Sequence, residues 1–195
     1  MNLPNKLTLS RIALTVIFMV FLFAHGVAYK ILALATFMIA AFTDFLDGYI
    51  AKKQGIVSDF GRFMDPIADK VLTLAAFLAF VEMGLVSAWM VMIIILRESI
   101  ITGLRLIALR KNKFIEATFA GKHKTVSQIF AIFMILVFLL FRELGYSLKF
   151  WSLEFQKGFE IAIFYLMLIA VALTVISGVS FFMRNKGIIY ERQDR

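Results

Sequence analysis

Apolar runs of about 20 residues, each long enough to cross the hydrocarbon core of a bilayer as a helix, recur about six times along this chain and are separated only by short polar breaks. Of its 195 residues, 62% are hydrophobic and 17% charged, with 22 Phe and 10 Met, more apolar surface than one soluble core of this length could bury. With Pro only at positions 4 and 66 and few Gly, little breaks a helix, and lipid demands that backbone hydrogen bonds close within each segment. The sequence therefore predicts a single all-α domain over residues 1–195, a polytopic membrane protein of about six transmembrane helices. Expected spans are 6–24, 29–53, 60–82, 86–110, 123–142 and 157–183.

Lys and Arg in the connecting segments set orientation. Lys6, Arg11, Lys52, Lys53, Arg62, Arg110, Lys111, Lys113, Lys122, Lys124, Arg184, Lys186, Arg192 and Arg195 fall on one side, against Lys30, Arg142, Lys149 and Lys157 on the other. Both termini are expected in the cytoplasm, with residues Arg142 to Lys157 as an outer loop and Tyr29, Trp89, Tyr146 and Trp151 as interfacial anchors. Lys6 and Arg11 ahead of an apolar run ending in Ala24-His25-Gly26 weakly suggest a cleaved signal peptide, but the basic, Asn-containing leader argues for retention. The net charge of +8 lies in clusters between apolar runs, which points to a membrane surface as partner and not to nucleic acid. The absence of Cys excludes disulfides, thiolate metal sites and Cys nucleophiles.

The chemistry concentrates between Asp44 and Asp69. Asp44 and Asp47 are one helical turn apart, with Gly48 and Ala51 continuing their stripe; Gly61, Asp65 and Asp69 repeat the pattern at four-residue spacing on the next helix. Carboxylates in spanning helices are costly, about 2.5 to 3.5 kcal/mol for Asp at the centre on insertion scales, and mark polar interiors. Four carboxylates converging on one cavity would raise each other's pKa unless cations shared the site. Hard oxygen donors without thiolates favour Mg²⁺ or Mn²⁺, and two ions suit phosphoryl transfer by steadying both attacking and leaving oxygens. Further on, Arg97 and Arg105 are cations in an apolar helix, near one face, with Lys122 and Lys124 beyond them. Glu98 offers a structural partner, but the excess of positive charge suggests a phosphate-bearing ligand, the bland alternative being surface charge at lipid headgroups.

The spacing Asp44-x2-Asp47-Gly48-x2-Ala51-Lys52-x8-Gly61-x3-Asp65-x3-Asp69 resembles the signature of the CDP-alcohol phosphatidyltransferase family, with Lys52 where the family has Arg, so that the charge survives but the bidentate fork does not. The leader Asn5-Lys6-Leu7-Thr8-Leu9-Ser10-Arg11, the stretch Met64 to Lys70, Arg97-Glu98, Gly103-Leu104-Arg105 and Gly121-Lys122-His123-Lys124-Thr125 with Gln128 are similar to the branch of that family whose acceptor is glycerol 3-phosphate. The resemblance implies transfer of a phosphatidyl group from CDP-diacylglycerol to glycerol 3-phosphate with release of CMP. It implies metal ligation by Asp44, Asp47, Asp65 and Asp69, with Asp69 also the base. Nucleotide contact is expected at Gly48, Ala51, Lys52 and Gly61, with close helix packing as the alternative for the small residues. Arg97, Arg105, Lys122 and Lys124 are expected at the acceptor phosphate. A homodimer in a bacterial inner membrane, with its active site on the cytoplasmic side, follows from the same resemblance. Other acceptors (inositol phosphate, serine, phosphatidylglycerol) keep the same motif, and a small cation transporter is the rival of another class.

Overall fold

The computed structural model describes the backbone of residues 3–54, 59–110, 119–149 and 151–190, and within these the side chains of 9–43, 70–108, 123–149 and 151–185. Among the described residues there are six helices and no strand: α1 (Leu3–Phe23), α2 (Val27–Gln54), α3 (Asp59–Glu82), α4 (Ala88–Arg110), α5 (Phe119–Ser147) and α6 (Leu153–Tyr190). Helix α1 packs on α2 and α3, α5 on α2, α3 and α6, and α4 on α3 and α6. Where α5 and α6 were expected to leave the apolar core, each runs on as helix.

Aromatic and aliphatic side chains at helical spacing fill the interior: Phe18 and Leu22 of α1, Phe37 of α2, Phe77 and Phe80 of α3, Met90 and Ile94 of α4, Ile132 and Ile135 of α5 and Met167 of α6 are sealed from solvent. The outward faces are apolar as well, with Val16, Val20, Ile39, Phe42, Met92, Leu96, Phe130 and Ile169 exposed. A helix apolar on every side needs either a large protein core or lipid around it. The segments His123–Ser147 and Leu153–Asn185 are long and apolar enough to cross a membrane; Leu9–Phe23 and Val27–Thr43 are shorter apolar stretches within the described residues.

The expected outer loop from Arg142 to Lys157 shrinks to residues 148–152, because α5 continues to Ser147 and α6 starts at Leu153. Hydropathy falls at Arg142, but the charged residues there find partners without leaving the helix: the Arg142 guanidinium lies 5.8 Å from the Phe138 ring centre, and a Glu143 carboxylate oxygen accepts from the Gly26 backbone N–H. The chain reverses through Lys149 at φ 57°, and Ser152 Oγ caps α6 by accepting from Phe155 N–H at 3.2 Å. At its far end α6 passes the expected stop at 183 into a polar stretch, where the Asn185 side-chain amide donates to Phe181 O at 2.8 Å.

Two further expectations shift. Lys30, counted with the outer-side charges at the start of the expected span 29–53, is buried in α2, and its Nζ donates to Leu22 O and Ala24 O, both at 2.7 Å, occupying carbonyls that the end of α1 leaves open. Trp151 stacks on Phe159 at 5.9 Å and 14° and also meets Phe138 and Tyr146, so it packs the α5–α6 corner in addition to any interfacial role. Tyr29, Trp89 and Tyr146 are about half exposed, as anchors would be.

Candidate active site

The acidic motif lies on the backbone of two consecutive helices. Asp44, Asp47, Gly48, Ala51 and Lys52 occupy the last turns of α2; Gly61, Asp65 and Asp69 occupy the first turns of α3. The three- and four-residue spacings put successive members of each group one helical turn apart. Their side chains, and that of Lys122, lie outside the described residues. Among the described residues no group of three or more His, Asp or Glu gathers to hold a metal.

Immediately after Asp69, Lys70 turns toward α4. Its Nζ lies 3.2 Å from Glu98 Oε2 and 3.4 Å from the Glu98 carbonyl oxygen, and it also bonds the Thr102 hydroxyl. Glu98 is buried and gathers cations from three helices: Lys70 of α3, its neighbour Arg97 with NH1 3.0 Å from Oε1, and Lys124 of α5 on that same oxygen. Helix α6 joins through Ser177, whose hydroxyl accepts from Arg97 NH2 at 2.7 Å. One helical turn beyond, Gln128 Nε2 donates to Thr174 Oγ1 at 3.1 Å, and both residues are buried. Arg105, two turns along α4 from Arg97 and exposed, has its guanidinium carbon 5.8 Å from the centre of the Phe181 ring.

The electrostatics of this cluster are lopsided. Among the described residues, Lys70, Arg97 and Lys124 converge on one carboxylate, Glu98, with Arg105 on the same helix as Arg97. Charges withdrawn from water need partners, and among the described side chains three cations share this single acid. Arg97 Nε–H, buried, has no hydrogen-bond partner among the described residues. Both features suit an anion of more than one charge, and phosphate supplies the acceptor oxygens.

Of the four expected cations, the structure brings Arg97 and Lys124 together on Glu98 and sets Arg105 nearby on the same helix. Treating Lys124 as ordinary surface charge does not hold, since it is 4% exposed and ion-paired within the bundle. Sequence reasoning missed Lys70 as the tie between α3 and α4, and Thr174, Ser177 and Gly178 on α6. A faint signal existed for the last three: small and polar residues at helical spacing inside an otherwise apolar run.

A model of the CDP-alcohol phosphatidyltransferase family matches residues 1–176. The chain belongs to the CDP-alcohol phosphatidyltransferase family. Among its relatives, a CDP-diacylglycerol–glycerol-3-phosphate 3-phosphatidyltransferase of Bacillus subtilis (strain 168) is 39% identical, covering 94% of this chain and 95% of the relative. A protein of the same name from Rickettsia bellii (strain RML369-C) is 34% identical over 95% of this chain and 96% of its own length. A probable phosphatidylglycerophosphate synthase of Mycobacterium tuberculosis (strain ATCC 25618 / H37Rv) is 34% identical over 94% of this chain and 81% of its own. For a CDP-alcohol phosphatidyltransferase, the arrangement is economical: the motif helices α2 and α3 lead directly, through Lys70, into the cation cluster.

Proposed function

We propose that this chain transfers the phosphatidyl group of CDP-diacylglycerol to glycerol 3-phosphate, forming phosphatidylglycerophosphate and CMP. The observation that carries the acceptor assignment is the cation cluster around Glu98, tied by Lys70 to the helix bearing Asp69. Lys70 follows Asp69 directly in the chain, which supports an acceptor-phosphate site beside the acidic motif, and the names of relatives that align over nearly the whole chain agree with that reading.

Hard carboxylate oxygens in a chain without Cys fit Mg²⁺ or Mn²⁺, and Asp44, Asp47, Asp65 and Asp69 would hold two such ions. When bound, the ions supply charge neutralisation at the diphosphate and at the departing CMP. Gly48, Ala51 and Gly61 leave room for the cytidine nucleotide against the helix backbones, with Lys52 adding charge beside them. Arg97, Arg105, Lys122 and Lys124 hold the phosphate of the acceptor and so fix its free hydroxyl against the lipid-linked phosphorus. Asp69 takes the proton of that hydroxyl as its oxygen bonds to phosphorus and the bond to CMP breaks.

The reaction belongs at the cytoplasmic face of a bacterial inner membrane, in a bundle of six spans with both termini inside. The Lys and Arg bias between the two sides supports that orientation, and the relatives' bacterial sources support the membrane. The apolar outward faces fit surrounding lipid and a second copy packed through membrane helices as a homodimer. The test is CMP release by purified protein in detergent with Mg²⁺ or Mn²⁺. Glycerol 3-phosphate is compared with inositol phosphate, serine and phosphatidylglycerol. Stimulation by glycerol 3-phosphate alone is expected, and stimulation by another acceptor instead would overturn the acceptor assignment.

A further inference from the structure

The part of α6 that faces α4 carries three residues to which no role is yet attached. Ser177, wholly buried, accepts from Arg97 NH2 at 2.7 Å, while the other terminal nitrogen of Arg97 reaches Glu98 at 3.0 Å. A planar guanidinium held at both terminal nitrogens is fixed in orientation. Gly178 sets how close the helices come: a Cβ there would lie 3.3 Å from Arg97 Cγ, tighter than ordinary contact. One turn on, the buried Phe181 offers its ring face to Arg105 at 5.8 Å. These residues share one stripe.

We propose that α6 is the positioning element of the acceptor-phosphate site: Ser177 and Phe181 orient Arg97 and Arg105 for the phosphate, and Gly178 allows the approach. The proposal rests on the assignment of both arginines to the acceptor. None of the three touches substrate. Their effect on rate passes through the two guanidinium groups, which must be preorganised to bind a phosphate without first losing rotamer freedom.

The experiment is steady-state kinetics on detergent-purified wild type, Ser177→Ala, Ser177→Thr, Gly178→Ala and Phe181→Leu, varying glycerol 3-phosphate and CDP-diacylglycerol separately. Loss of one hydrogen bond to a charged group predicts a rise of about tenfold in KM for glycerol 3-phosphate in Ser177→Ala, with KM for CDP-diacylglycerol unchanged. Ser177→Thr, which keeps the hydroxyl, restores the wild-type value. Gly178→Ala moves KM for the acceptor in the same direction, and Phe181→Leu raises it about threefold. If Ser177→Ala does not fold, Phe181→Leu, which keeps an apolar side chain, decides on the same readout. Unchanged acceptor KM in these variants, or a parallel rise in both KM values, overturns the proposal while the enzyme assignment stands. Wild-type protein with no dependence on glycerol 3-phosphate overturns the acceptor assignment and the role of α6 together.

Discussion

Glu98 of α4 and Lys124 of α5 form an ion pair inside the helix bundle, at 6% and 4% exposure, and the same carboxylate also holds Lys70 and Arg97. One acid thus fixes the relative positions of three helices. Glu98→Gln removes the counter-charge and leaves three crowded cations, a change that costs about 3 to 5 kcal/mol when a buried pair is broken. Thermal unfolding in detergent is expected to show a clearly lowered midpoint. Wild-type stability in Glu98→Gln would mean that the cations find other partners.

Arg105 contributes differently. It is exposed, and among the described side chains it rests on the Phe181 ring, so it is available to a ligand. Arg105→Ala is expected to raise KM for glycerol 3-phosphate by about tenfold or more, as loss of a charge-assisted phosphate contact would, while CDP-diacylglycerol dependence and thermal stability stay near wild type. Separate titration of the two substrates checks this.

The six helices were legible because long apolar runs with so few Gly and Pro favour unbroken helix, which closes backbone hydrogen bonds within each segment. Their ends were less so. Hydropathy drops at Arg142, whereas the helix continues to Ser147 because Glu143 binds Gly26 N–H and Arg142 sits on Phe138. Hydropathy reports transfer cost, and helix termination depends on capping and side-chain partners. In the site, Asp44, Asp47, Asp65 and Asp69 stood out as carboxylates at helical spacing, and Arg97 and Glu98 as charges in an apolar run. The pairing of Lys70 with Glu98, across 28 positions, has no local signature. Ser177 carries only the faint signal of a small polar residue in an apolar helix until the opposing helix shows Arg97.

Asp69, the proposed base, is expected to be separable from binding. Asp69→Asn keeps the volume and should lower turnover by at least about 10²- to 10⁴-fold while CMP still binds, as measured by calorimetry beside the activity assay. EDTA should abolish activity in the wild type, with recovery on adding Mg²⁺ or Mn²⁺, if the carboxylates act as metal ligands.

The far end of the bundle offers a control. Lys30→Met keeps the aliphatic stem but leaves Leu22 O and Ala24 O without their donor, a loss of about 1 to 3 kcal/mol for buried polar groups. A lower unfolding midpoint with both KM values unchanged is expected. A selective change in acceptor KM would instead reveal coupling from this turn to the cation cluster.

The most direct measurement follows label from glycerol 3-phosphate into lipid. Purified protein in detergent is given CDP-diacylglycerol, labelled glycerol 3-phosphate and Mg²⁺ or Mn²⁺, and the lipid product is identified by mass spectrometry. Labelled phosphatidylglycerophosphate, formed in step with CMP and absent from Asp69→Asn, is the predicted result. CMP release with no label in lipid, or no release from folded protein with any acceptor, would contradict the account.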